Sequence, residues 1–277
     1  MGTTFELVLV AERKERGRLE AIAEVVFDVI REVESRWSLF LPSSRLALLN
    51  RTGHQQALAL DADDLALFQV ASRVKRDSGG AFEPDVARAM DAAGHFAARG
   101  LAACLPEVPE GAAAESPGPA LAGTWNLDEH SCSVSFSGLG PALDLGAIAK
   151  GHALDLAVRE LSEYAVDAAL LHGGTSSVVA LGSAPGQEAW TVDVHGHQVR
   201  LRDQALAVSD AGSQSAHDGH ILIPGAQFIA ADVQNTAAVV APSAALADAW
   251  ATALCANPEL AQAASGLLLE QNVKLLH

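Results

Sequence analysis

Residues 141–157, PALDLGAIAKGHALDLA, constrain this chain more than any other stretch. Leu143–Asp144–Leu145 reads as the end of a strand, Gly146 as a turn, and the periodicity predicts a helix over Ile148–Glu163. A glycine at such a turn lets backbone N–H groups face an anion, and the helix dipole adds to the attraction. Lys150 brings an ammonium to the same point, with Asp144 and Asp155 on either side of it in sequence. The pattern equally describes an ordinary strand, turn and helix whose surface lysine pairs with a carboxylate, and short glycine motifs do not separate the two.

The rest of the chain sets this segment in an α+β protein. Thr4–Val10 alternates like a strand. Leu19, Ile22, Val26, Val29, Val33 and Trp37 then recur every three or four residues as one apolar helical stripe. Residues 41–53 read as turn residues followed by a short apolar run. A second helix is predicted from about Asp63, with Leu67, Val70 and Val74 on one face and Gly79–Gly80 as its stop. Short strands are predicted at Cys132–Phe136, Ala168–Leu171, Ser177–Leu181, Ala189–Val194 and Ala205–Val208, and another helix at Ala244–Cys255. Residues 105–123, rich in Pro, Ala and Gly, read as a surface loop inside a single domain spanning 1–277. Sheets flanked by helices follow from this order.

A formal net charge of −16 excludes nucleic acid and anionic lipid as partners on electrostatic grounds. Any phosphate site must therefore be local, built from backbone amides, a lysine or a bound cation. Cys104, Cys132 and Cys255 are odd in number and widely spaced, which argues against a disulfide framework or zinc knuckle. Cys132 and Cys255 read as small core residues. No apolar stretch is long enough to cross a bilayer, and the first residues carry neither an export signal nor a cysteine for a lipid. The expectation is a soluble cytoplasmic protein without membrane insertion, or a periplasmic one if a leader has been trimmed.

Three further segments can carry chemistry. In LLHGGTSSVVALG (residues 170–182), Gly173 and Gly174 permit positive φ and a close approach to a ligand, although paired glycines also favour a plain hairpin turn. In APSAALADAWATALC (residues 241–255), Asp248 and Thr252 lie four apart and share one helix face, presenting two hard oxygens of the kind Mg²⁺ prefers. The other reading of that pair is a carboxylate in the helix's first turn and a threonine bonded back to a carbonyl. His220, in the segment HDGHILIPGAQ, is a side chain suited to proton transfer. His195 and His197 flank Gly196 as a polar hairpin tip. Ser209 and Ser213 lack the GxSxG context of a nucleophile, and no GxGxxG or GxxxxGK[ST] occurs.

Taken in order, these segments resemble the ApbE family from end to end. ESRWSLFLPSSRLALLN (34–50) is similar to the family's "fS.y.p.SeisrlN", GGAFEPDV (79–86) to "GaFDptv", and DLGAIAKGHALD (144–155) to its most specific motif, "DLGgiaKGyavD". MGTTFEL (1–7) looks like the opening strand, HGGTSS resembles "nlGGdi" and LADAWATAL resembles "aDalsTal". The resemblance implies a T-fold-like α+β architecture of mixed sheets flanked by helices, in two lobes with a flavin site between them. It implies transfer of the FMN moiety of FAD to a Thr or Ser hydroxyl of an acceptor flavoprotein, with Mg²⁺ and release of AMP. Asp248, Thr252 and the Ala147 carbonyl would hold the metal. Asp144, Gly146, Lys150, Gly173, Gly174 and Ser209 would contact FAD. His220 would be the base for the acceptor hydroxyl, with Asp248 also essential to catalysis.

The chain departs from the family pattern at four places. Thr175 stands where "GGd" has a carboxylate, His152 where "GyavD" has an aromatic, and Glu83 where an Asp is usual. HILIPGAQ keeps His220 and Pro224 of "hiidPrtG" but loses its acidic residue, its basic residue and its final glycine. The binding core is better kept than the region around the acceptor. A Mg²⁺-dependent FAD pyrophosphatase giving FMN and AMP, and a non-catalytic flavin binder, therefore stand beside the transferase reading.

Overall fold

The computed structural model describes residues 3–10, 15–98, 100–106, 123–210 and 235–276. Its centre is a six-stranded sheet built from β1 (Phe5–Leu9), β5 (Ala169–Gly173), β6 (Ser177–Leu181), β9 (Gln204–Asp210), β10 (Thr236–Ala241) and β11 (Lys274–Leu276), adjacent in that order. Two smaller sheets join it: β2 (Leu58–Ala59), β4 (Ser133–Phe136) and β3 (Trp125–Asp128) in the order β2-β4-β3, and the hairpin of β7 (Trp190–Val194) and β8 (His197–Leu201). Each pairing among them is antiparallel, so the architecture mixes helix with sheet without mixing strand directions.

Side-chain alternation divides the large sheet into two faces. Ala169, Leu171, Val179, Ala205, Ala207, Ala237 and Val239 point to the main core. There they meet α6 (Gly146–Glu163) and α7 (Ala244–Ala256), backed by α1 (Arg16–Trp37) and α3 (Ala62–Asp77). On the opposite face Leu170, Val178, Ala180, Leu206 and Val240 form a second cluster with Trp190 and Leu201 of the β7–β8 hairpin. Its tip is His195–Gly196, both at positive φ (51° and 85°), the geometry that lets a two-residue turn follow the strand twist.

The helical stripes fall as the periodicity predicts. Ile22, Val26, Ile30, Val33 and Trp37 are the buried face of α1, with Ile30 taking the place expected of half-buried Val29. Asp61 caps α3 by accepting from the Asp64 amide at 2.9 Å, and Gly79 and Gly80 follow its end at positive φ. Residues 41–53 hold a further helix, α2 (Arg45–Thr52), capped by Ser44, which accepts from Ala47 N at 2.9 Å. Among the described residues no helix is long and apolar enough to cross a membrane.

Two expectations are corrected. Leu143–Leu145 belongs to no sheet. Its backbone groups are met elsewhere. Buried Asn50 donates through Nδ2 to Leu143 O (3.0 Å) and accepts from Leu143 N (2.9 Å), doing with one amide side chain what a neighbouring strand would do. Asp85 Oδ1 accepts from Ala142 N (2.7 Å), and Pro84 O accepts from Asp144 N (2.8 Å). Cys132 is no core residue either. It is only half-buried and turns the chain at φ 48° into β4, whereas Cys255 is buried as expected.

Candidate active site

The segment held by Asn50 and Asp85 ends where α6 begins. Asp144 Oδ1 accepts from Gly146 N at 2.7 Å, so the turn into the helix is closed by its own carboxylate. One turn along α6, Lys150 Nζ lies 3.5 Å from Gly146 O and 3.9 Å from Asp248 Oδ2. The positive end of α6 and the ammonium therefore face the same space.

Asp248 belongs to α7 and is only 4% exposed. It is not in the helix's first turn. The first amides of α7 are met by Asp155, whose two oxygens accept from Ala244 N (2.6 Å) and Ala245 N (2.9 Å), and by Ser243 Oγ, which accepts from Leu246 N (3.3 Å). Asp248 instead points inward, accepting from Ser177 Oγ at Oδ1 (2.7 Å) and from Gly151 N at Oδ2 (2.9 Å). Burial pushes its carboxyl above the usual range, against the Lys150 charge and these two hydrogen bonds. Burial likewise lifts Asp155, to about 7, against its two amide bonds.

Thr252, one turn further, donates back to Asp248 O at 3.0 Å, as one of the two readings of the pair expects, and stands 3.4 Å from Ser209 Oγ of β9. Ala147 lines the same cleft. In an α-helix the Gly151 amide points at the carbonyl four residues earlier, that of Ala147, so the Asp248 carboxylate competes with that carbonyl for one N–H. The oxygens gathered are one carboxylate, two hydroxyls and a carbonyl. Among the described residues no group of three or more His, Cys, Asp or Glu forms a closed metal cage. The set fits a hard cation such as Mg²⁺, which keeps waters and takes phosphate oxygens alongside one or two carboxylates. A carboxylate has about four lone-pair positions, so two accepted hydrogen bonds leave Asp248 room for about two more partners.

These residues form one end of a cleft of about 1670 Å³ that wraps around the end of the large sheet. Asp144, Gly146, Ala147, Lys150, Ser209, Asp248 and Thr252, all singled out from sequence, line it together. Gly174 lines it too, at φ 67°, packed against Thr3, whose Oγ1 a Cβ there would overlap. Gly173 does not. It ends β5 beneath Phe5 and Leu154, and a Cβ would come within 3.2 Å of the Phe5 ring, so its missing side chain serves packing. His220, Ser213 and Pro224 lie outside the described residues.

Sequence reasoning missed three contributors. Ser177 read only as the start of a strand, and nothing local marks it as the partner of Asp248. Glu6 and His172 face each other across β1 and β5 on the cleft side of the sheet, and burial lowers the His172 pKa while Glu6 opposes that shift. Alternation in β1 and β5 gives their shared face, but only the pairing register brings them opposite.

The architecture is that of the ApbE flavin transferases of known structure. The ApbE protein of Thermotoga maritima superposes with a TM-score of 0.73 at 23% identity, covering 97% of this chain and 87% of that one. Flavin transferase ApbE of Vibrio cholerae gives 0.71 at 18% identity, with coverages of 100% and 90%. The flavinyl transferase ApbE of Pseudomonas stutzeri gives 0.73 at 18%, with 99% and 88%. In sequence, the chain is 29% identical over 283 residues to the FAD:protein FMN transferase of Treponema pallidum (strain Nichols), which spans 89% of this chain and 74% of that protein. The model of the ApbE family matches residues 1–272, and the chain belongs to that family.

Proposed function

We propose that this chain is a FAD:protein FMN transferase that moves the FMN moiety of FAD onto a threonine or serine hydroxyl of an acceptor flavoprotein, with Mg²⁺ and release of AMP. The observation that carries the reading is the meeting of Lys150, the Gly146 turn and the buried Asp248 at one end of the cleft. A pyrophosphate needs positive charge beside it, and Lys150 at the positive end of α6 supplies it in an otherwise acidic chain. Small-molecule pockets run to roughly 300–1,000 Å³. A cleft of about 1670 Å³ has room for a dinucleotide and for an acceptor residue.

In this reading Lys150 and the positive end of the α6 dipole draw the pyrophosphate to the Asp248 end. Ser177 and Gly151 hold the Asp248 carboxylate so that it faces the phosphate and does not rotate away. Asp248, Thr252 and the Ala147 carbonyl would hold Mg²⁺, whose contribution when bound is to neutralise charge on the pyrophosphate. The acceptor oxygen forms a bond to the FMN phosphorus, the bond from that phosphorus to the AMP oxygen breaks, and the hydroxyl proton passes to a base. His220 is the residue proposed for that base, by its match to the family motif.

The test incubates the protein with FAD and Mg²⁺, with and without an acceptor domain bearing a flavinylation threonine, and follows AMP and acceptor mass. An FMN-sized mass gain that disappears in Asp248→Ala supports the transferase. AMP without that gain makes the chain a pyrophosphatase. FAD binding with no AMP in either tube makes it a flavin binder.

A further inference from the structure

We infer that Asp155 is a positioning residue for the metal and pyrophosphate end of the cleft, setting how closely α7 approaches α6. The inference rests on the transferase reading above. Asp155 and Gly151 stand one turn apart on α6, and both meet the same two residues of α7. Asp155 accepts from Ala244 N and Ala245 N at 2.6 and 2.9 Å. At Gly151 the two backbones touch. A Cβ there would overlap the Ala244 carbonyl and lie 2.5 Å from Ala245 N. One turn beyond that contact, α7 carries Asp248, whose Oδ2 accepts from the Gly151 amide at 2.9 Å.

The carboxylate shares the capping of α7 with Ser243, taking the two amides that Ser243 leaves. Ser243 caps α7 from within its own chain segment, its Oγ accepting from Leu246 N and its carbonyl accepting from Ala247 N at 3.0 Å. Asp155 comes from the other helix, and its two oxygens bind two successive amides at once. A forked contact of this kind fixes both distance and rotation. Rotating α7 about its axis, or lifting it by an ångström, would carry Asp248 and Thr252 away from Lys150 and Ala147, which are rooted in α6. The pair Gly151–Asp155 thus acts as a stop and a clamp. The glycine sets the minimum separation and the carboxylate holds it there.

The experiment measures the Mg²⁺ concentration needed for half-maximal FAD binding, read by flavin fluorescence at a temperature where each protein is folded. Asp155→Asn keeps the shape and loses the charge and one acceptor. Asp155→Glu keeps the charge and lengthens the arm. Ser243→Ala removes the ordinary cap. The expected result is that both Asp155 variants raise the Mg²⁺ midpoint by about tenfold, the scale found when partners of metal ligands are altered. Ser243→Ala lowers the thermal midpoint and leaves the Mg²⁺ midpoint where it was. An Asp155 variant that is folded and titrates like the wild type overturns the inference. So does Ser243→Ala shifting the Mg²⁺ midpoint as far as Asp155→Asn, since capping alone would then explain the effect. Should Asp155→Asn not fold, Asp155→Glu decides by the same criteria. Wild-type protein that shows no Mg²⁺-dependent FAD binding overturns the transferase reading and this inference together, an outcome distinct from failure of the variants alone.

Discussion

Ser177 Oγ donates to Asp248 Oδ1 at 2.7 Å, joining the large sheet to α7 through two buried side chains. Ser177→Ala leaves that oxygen without its donor, and an unmet buried acceptor costs about 1–3 kcal/mol. The variant is expected to lose that much in urea unfolding and to need about tenfold more Mg²⁺ for half-maximal transfer. Unchanged metal dependence in Ser177→Ala would show that the Gly151 amide suffices to hold the carboxylate.

Among the described residues, Lys150 forms the ion pair with Asp248, at 3.9 Å. Lys150→Gln keeps the hydrogen-bonding reach and removes the charge. Hydrogen bonds to charged groups contribute about 1.5–3 kcal/mol, so the KM for FAD should rise by about ten- to a hundredfold. Steady-state kinetics across FAD concentrations check this. A KM equal to that of wild type would remove the ammonium from the phosphate site.

His152 carries a pH prediction. It is buried on α6, and burial lowers its pKa from 6.5 to about 4, with Arg159 adding to the shift and Asp63 opposing it. The unfolded chain takes up this proton below about pH 6.5 and the folded chain only near pH 4. Stability from keeping His152 neutral is thus complete above the unfolded value and is lost as pH falls through that window. Between pH 7 and 5, wild type should lose about 2 kcal/mol more than His152→Leu. Urea unfolding of both proteins at the two pH values measures the difference, and parallel losses would refute it.

Asn50 is 1% exposed and makes both backbone hydrogen bonds of Leu143. Asn50→Ala strands one N–H and one C=O in the core, a cost of about 2–6 kcal/mol in total. The Asp144–Gly146 turn follows directly, so the KM for FAD should rise in the protein that remains folded. A loss below about 0.5 kcal/mol would mean that water replaces the side chain.

The elements that could be read from sequence were those with a period to read. The stripes of α1 and α3, and the i, i+4 pair Asp248–Thr252, follow from helical spacing alone. Leu143–Leu145 carries the apolar signature of a strand, yet a strand needs a neighbour, and its neighbour is the side chain of Asn50, 93 positions away. The edge strand β11 and the alanine-rich β10, TAAVVA, go unread because alanine carries little strand preference. At the site, Asp248 was visible because its partner Thr252 is local. Ser177 and the Gly151 amide, 71 and 97 positions from it, were not, because only the tertiary fold brings them together.

The sequence AALADAWATALCA of α7 is buried at each position but Thr252, and alanine fills most of them. Such a helix leaves no slack for natural variation or for an engineer. Any larger side chain must displace a sheet or a neighbouring helix, at about 1–3 kcal/mol. New acceptor or nucleotide preferences are therefore expected to arise elsewhere in the cleft lining, at places such as Glu6, His172 and the His195 turn, which lie outside the helix that carries Asp248.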